Sequence, residues 1–150
     1  MRATFDPPTD AEAYRFCHRL RVRFAETDAM GVVHHAAYLP YLEEARVEYL
    51  RSVGHPFDLL RAEGWELPVA GVATRYLRPL FFDDVVDVHL VVARAAGAAF
   101  EIGYLLTVGA EPRATAVTRH GVVGPRGHPV RCPDWLVALA SGPSSGDPEH

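Results

Sequence analysis

One stretch of helical period followed by four stretches of strand period restricts this chain to very few architectures. In YLPYLEEARVEYLRSVG, residues Tyr38, Leu42, Ala45, Tyr49 and Val53 recur at helical spacing and make one apolar stripe. After residue 66 the period changes to two. LPVAGVATRYL, DVVDVHLVVAR, AFEIGYLLTVG and RATAVTRHGVV read as four strands. Turn residues mark the connections: Pro79 with Asp83 and Asp84, Ala96–Gly97, and Gly109 with Pro112. Short links between consecutive strands predict antiparallel pairing. Upstream of the helix, Arg19, Arg21 and Arg23 alternate with Leu20, Val22 and Phe24, which predicts a fifth, half-buried strand. Its arginine face reads as a solvated or edge-protecting face rather than a phosphate site. One helix must then bury its stripe against one face of a five-stranded antiparallel sheet, an α+β domain. A single helix covers such a sheet incompletely, so association with a second copy is expected.

Pro40 is tolerated only in a first turn, so the helix should begin near Ala36–Tyr38, with Gly54 as its stop. A short helix over Pro56–Ala62 and a terminal helix from Pro133 complete the elements. Residues 1–16 read as an N-terminal extension with a helical turn near Ala11–Phe16, residues 17–140 as the domain, and 141–150 as a disordered tail. The 150 residues, 49% hydrophobic and 23% charged, suffice for one domain with its own core. No apolar run approaches the roughly 20 residues of a membrane span. The N-terminus lacks the apolar core of a secretory signal, so a cytoplasmic location is expected.

The charge sum of 15 − 19 = −4 argues against a nucleic-acid partner. Every one of the 15 basic residues is arginine, and Lys, Asn and Gln are absent. No lysine can form a Schiff base and no side-chain amide can donate into an oxyanion hole. Backbone N–H groups or Arg, His, Tyr, Trp, Ser and Thr must serve instead. Cys17 and Cys132 stand far apart without zinc-type spacing, which reads as two free thiols and no metal.

The segment Glu26-Thr27-Asp28-Ala29-Met30-Gly31-Val32-Val33-His34-His35 joins strand to helix. Asp28 precedes a glycine turn. His35 lies at the helix entrance, where backbone N–H groups are unpaired and the helix dipole is positive. Donors there can polarise a carbonyl while a carboxylate attacks it or activates water. By itself such an Asp is more often a cap or turn residue. Glu43 and Arg46, three apart, read as a structural ion pair on the helix. Adjacent His34 and His35 rarely chelate one ion together, and His89, His120 and His128 read as isolated.

The stretch RVRFAETDAMGVVHHAAYLPYLEEARVEYLRSVG resembles the hydroxybenzoyl-CoA thioesterase family of hot dog fold. Within that family it is most similar to the branch of bacterial acyl-CoA thioesterases typified by the Tol-Pal-associated enzyme. Thr27, Asp28, Gly31, Val32, Val33, His35, Ala36, Tyr38, Glu43, Ala45 and Arg46 occupy the branch's motif positions. Tyr76-Leu77-Arg78-Pro79, Asp83-Asp84 and Gly127-His128-Pro129-Val130-Arg131 match later ones, so the likeness spans about 20–139. His34 stands where the family usually has Tyr, and Ala37 where it has Asn or Ser.

The resemblance implies a five-stranded antiparallel sheet wrapped around one long helix, and a hydrolase that cleaves an acyl-CoA. Coenzyme A would be part of the substrate, with no other cofactor. Asp28 would be nucleophile or general base, and the His35 backbone N–H would polarise the carbonyl. Gly31, His34 and Tyr38 would contact or line the substrate site. The site would lie between protomers of a homodimer or homotetramer, with Asp28 and the His35 N–H serving one thioester from different chains. Arg78, Arg126 and Arg131 flank turns and are candidates for the coenzyme A phosphates. The competing readings are an enoyl-thioester hydratase or dehydratase and a non-catalytic acyl-CoA binding protein. Such hydratases carry a His five residues after the Asp, where this chain has Val33, and an Asn it lacks.

Overall fold

The computed structural model describes residues 5–141. The tail expected to be disordered lies, from residue 142 on, outside the described residues. Strands β1 (Phe16–Arg21), β2 (Val69–Tyr76), β3 (Val85–Ala96), β4 (Ala99–Val108) and β5 (Glu111–Gly121) form one antiparallel sheet in the order β1-β3-β4-β5-β2. Helices α1 (Tyr38–Ser52), α2 (Phe57–Ala62) and α3 (Asp134–Ser141) complete the fold. The architecture is the α+β hot dog arrangement, a sheet curled around one long helix.

The helix lies where its sequence sends it. Pro40 sits in the first turn of α1, and Gly54 ends it with φ 84°, a left-handed conformation that a Cβ would strain. The buried face comprises Tyr38, Tyr41, Leu42, Ala45 and Tyr49. Tyr41 therefore joins the expected stripe, while Val53 is only half-buried at the helix end. Against this face stand the even-numbered residues of the central strands: Val86, Val88, Leu90 and Val92 from β3, and Ile102, Tyr104 and Leu106 from β4. A strand's two-residue period presents one such row per face. Each large apolar side chain buried here contributes about 1.5–3 kcal/mol.

Two expectations are corrected. The first strand ends at Arg21, and Phe24 does not face inward. Arg23 instead hydrogen-bonds Glu26 through its backbone N (2.8 Å) and Nε (3.1 Å), and this winds Phe24–Glu26 into a single helical turn. Phe24 is left 75% exposed, edge-on to Phe82. Second, β2 and β3 are consecutive in the chain but are not neighbours. β2 pairs with β5 at one edge and β3 with β1 at the other, so the link over 77–84 crosses three strand positions. At about 4.8 Å per strand that is about 14 Å, within reach of eight residues. Leu80 anchors the link, fully buried, and its carbonyl accepts from Val33 N at 2.8 Å. This crossing carries Tyr76–Pro79 past the entrance of α1.

Within the N-terminal extension, Phe5 and Tyr14 pack on the sheet face away from α1. Tyr14 is buried, and its hydroxyl donates to the Pro8 carbonyl at 2.8 Å. The Phe5 ring lies directly over Gly103, where an added Cβ would collide with it. Gly103→Ala should therefore displace Phe5 and lower stability by about 1–3 kcal/mol. In a Phe5→Ala background the same change should cost little. Urea midpoints of the two single variants and the double variant measure this, and additive losses would disprove the contact.

Candidate active site

Asp28 is held by its own loop. Its N–H donates to Val32 O (2.8 Å), its carbonyl accepts from Gly31 N (3.0 Å), and its Oδ1 accepts from Met30 N at 2.8 Å and Val32 N at 3.4 Å. Oδ2 accepts no hydrogen bond from the described residues. The carboxylate is thus a turn residue through one oxygen while the other stays free for chemistry. Gly31 supplies the φ of 79° that closes this turn, and nothing lies within 4 Å of where its Cβ would be. Its requirement within the chain is conformational.

The loop is pinned at both ends. Val33 N donates to Leu80 O, and His34 N to Glu26 O at 2.9 Å. Glu26 also accepts from the Tyr41 hydroxyl at 2.7 Å, which ties the loop to α1. Burial alone would raise the Glu26 carboxyl, but the Arg23 N–H, the Tyr41 hydroxyl and the Arg23 guanidinium together hold it below its ordinary value. Burial and the adjacent Glu26 carboxylate push the Tyr41 phenol up.

A single helical turn, His35–Ala37, leads into α1. His34 caps it, its Nδ1 accepting from Ala36 N at 3.2 Å, and stacks on His35 at 4.3 Å between ring centroids. Ala37 N donates to His34 O. Of the five backbone N–H groups from Val33 to Ala37, only that of His35 finds no acceptor among the described residues. The His35 carbonyl accepts from the Tyr76 hydroxyl at 3.0 Å. Tyr76 packs edge-on against Tyr38, with ring centroids 4.9 Å apart.

A cleft of about 350 Å³ is lined by Asp28, Val32, Val33, His35, Tyr38 and residues 76–79. Asp28, His35 and Tyr38 therefore meet in one cleft of one chain. Seven residues of a closed turn bring Asp28 and His35 to the same wall. Gly31 and His34, expected at the substrate, are not in that wall. They shape the turn and cap the helix entrance. Of the three candidate arginines, Arg78 lines the cleft, whereas Arg126 and Arg131 do not. Tyr76 and Glu26 were within quoted motifs but carried no role, because each acts through a partner distant in sequence.

A second cavity of about 330 Å³ opens between α1, α2 and the starts of β2 and β4, and its lining is mainly apolar. Leu50, Phe57, Leu67, Val69, Phe100 and Ile102 line it, with Glu43, Arg46 and His120 as the polar members. Glu43 and Arg46 form no ion pair. Arg46 turns inward and its Nη1 donates to the Tyr104 hydroxyl at 3.3 Å, so the ion-pair reading is wrong. Tyr104 contacts Thr118 Oγ1 (2.8 Å), which contacts His120 Nε2 (2.8 Å), and His120 Nδ1 meets the Leu67 carbonyl (3.1 Å). A carbonyl only accepts, so Nδ1 carries the proton. Nε2 then accepts from Thr118, and Thr118 from Tyr104. Burial pushes His120 down to about 4, opposed by the Leu67 carbonyl and aided by Arg46, so the ring is neutral at physiological pH.

The family described as the Thioesterase-like superfamily matches residues 22–139. The chain belongs to this family. A crystal structure of a hypothetical protein from Aquifex aeolicus superposes with a TM-score of 0.79 at 38% identity, covering 84% of this chain and 99% of that one. A 1,4-dihydroxy-2-naphthoyl-CoA hydrolase of Nostoc punctiforme is 33% identical over 106 residues, 70% of this chain and 72% of its own. The acyl-CoA thioester hydrolase YbgC of Escherichia coli O157:H7 is 33% identical over 78 residues, 52% of this chain and 58% of its own. Among the described residues, no helix is long and apolar enough to cross a membrane.

The anchoring of the loop through Glu26 has a pH signature. Its folded pKa lies below the unfolded value of about 4.3, so its stabilisation is complete above that value and is lost as pH falls through the folded pKa. Glu26→Gln should cost about 1–3 kcal/mol near neutral pH. The gap to wild type should shrink progressively as pH falls below about 4.3. Urea unfolding across that pH range checks this, and a gap independent of pH would exclude an ionised anchor.

Proposed function

We propose that this chain hydrolyses an acyl-CoA thioester in the cleft of Asp28, His35 and Tyr38: R–CO–S–CoA + H2O gives R–COO⁻ + CoA–SH + H⁺. The observation that carries this reading is the unpaired His35 N–H at the entrance of α1, on the same cleft wall as Asp28. The thioester oxygen accepts from that N–H, and the positive end of the helix stabilises the charge that develops there. Asp28 either attacks the carbonyl carbon, giving a mixed anhydride that water then hydrolyses to free the carboxylate and Asp28, or it deprotonates the water that attacks. The coenzyme A thiolate leaves and is protonated by solvent. Tyr76 acts on the donor indirectly by fixing the carbonyl of His35. Arg78, at the cleft rim, is the arginine best placed for a coenzyme A phosphate. The motif Thr27-Asp28-x-x-Gly31-Val32-Val33 favours the Tol-Pal-associated branch.

The working form in this proposal is a homodimer joined through β2, an edge strand with no second neighbour among the described residues. Pairing β2 antiparallel to its copy about Val72 and Ala73 sets Val69 of one chain opposite Tyr76 of the other. The apolar cavity of one protomer then adjoins the catalytic cleft of its partner and can receive the acyl group. Its lining suits an aliphatic or aromatic group without charge.

A panel of acyl-CoAs read by released thiol tests the chemistry. Asp28→Asn and Asp28→Ala should each lose about 10²-fold or more in kcat. Near-normal turnover by both folded variants would exclude Asp28 as the catalyst. His35→Pro removes the N–H and should be equally inactive, with circular dichroism confirming the helix. Mixed Asp28→Asn and His35→Pro protomers should not regain activity, since both groups serve one chain's cleft. Recovery on subunit exchange would place them on different chains. EDTA should leave the rate unchanged, because no step in this cleft needs a metal.

A further inference from the structure

We propose that Cys17, Asp87 and His89 form a binding site for one zinc-class divalent cation on the sheet face away from α1. Strand register creates it. Cys17 and Arg19 of β1 stand opposite His89 and Asp87 of β3, and alternation puts all four side chains on one face. One ligand atom from each of Cys17, Asp87 and His89 lies within 4.8 Å of the others, close enough to share an ion. A thiolate, an imidazole and a carboxylate are the donor types of zinc sites with one open position, where water completes the tetrahedron.

Groups around the three ligands already orient them. The Thr107 hydroxyl, buried on β4, meets His89 Nε2 at 3.0 Å and leaves Nδ1 as the metal-binding nitrogen. This matches the oxygen partner that metal-bound histidines use on their second nitrogen. Arg19 holds the Asp87 carboxylate through Nε (2.8 Å) and Nη2 (3.3 Å), which fixes its plane while leaving lone pairs for a cation. The Tyr14 ring stands 6.2 Å from that of His89 and closes one side. Cys17 is exposed, so a cation can enter from solvent. Binding replaces the thiol proton by the metal and releases that proton to water. Residues 17, 87 and 89 lie outside the lining of the Asp28 cleft, so the site is separate from the hydrolytic one and is consistent with EDTA-insensitive turnover.

Titrating the full chain with Cd²⁺, as a spectroscopic substitute for zinc, tests this through the ultraviolet thiolate-to-metal charge-transfer band. A saturable band at one ion per chain is expected, and zinc should compete it away. Cys17→Ser should abolish the band, whereas Cys132→Ser should leave it intact. His89→Gln and Asp87→Asn should each weaken binding by about 10-fold or more, and Thr107→Val by about 10-fold. Circular dichroism confirms that each variant folds. No saturable band, a band surviving in Cys17→Ser, or affinity unchanged by both His89→Gln and Asp87→Asn would overturn the site.

Discussion

The burial of one helix face against one sheet face sets everything else in this molecule. Leu42, Ala45 and Tyr49 fix how α1 lies across β1 and β3, and its N-terminal end is thereby carried to the place where the link over 77–84 passes. The loop before α1 must then close between two fixed points, Glu26 beside Tyr41 and Val33 on Leu80. Asp28 and the His35 N–H owe their common wall to that closure. A loop so short and so strongly tied loses little further entropy when a substrate enters, which is the physical content of a preorganised site.

The fold was legible because its signals are local. A 3.6-residue period over residues 38–53 and a period of two after residue 66 admit few packings, and glycines with positive φ stand where the turns were read. What escaped was non-local. The order β1-β3-β4-β5-β2 depends on which edge the first strand takes, and no periodicity encodes that choice. Phe24 fails the alternation because Arg23 and Glu26 outcompete the strand ladder for local hydrogen bonds.

The site was legible to a similar depth. Asp28 and His35 belong to one short motif, and the structure brings them to one cleft. Tyr76, which holds the His35 carbonyl, is 41 residues away in sequence and could be placed only by strand topology. The same holds for the Arg46–Tyr104–Thr118–His120 chain, whose first hydrogen bond joins residues 58 apart in sequence. A carbonyl at one end and a guanidinium at the other leave that chain a single proton arrangement, so the floor of the apolar cavity is polar yet fully satisfied. Cys17 and His89 escaped for the same reason, since they meet only through the register of β1 on β3.

The central claim is that the His35 N–H receives the thioester oxygen in the Asp28 cleft. Amide NMR of the 15N-labelled protein, titrated with an acyl-CoA analogue whose sulfur is replaced by CH2, reads that contact without turnover. The ketone oxygen of the analogue stands where the thioester oxygen would. The His35 amide should show the largest shift, with smaller shifts at Asp28, Tyr38 and Arg78 and none at Cys17 or His89. Shifts centred on another surface, with the His35 amide unmoved at saturation, would contradict the assignment of the site.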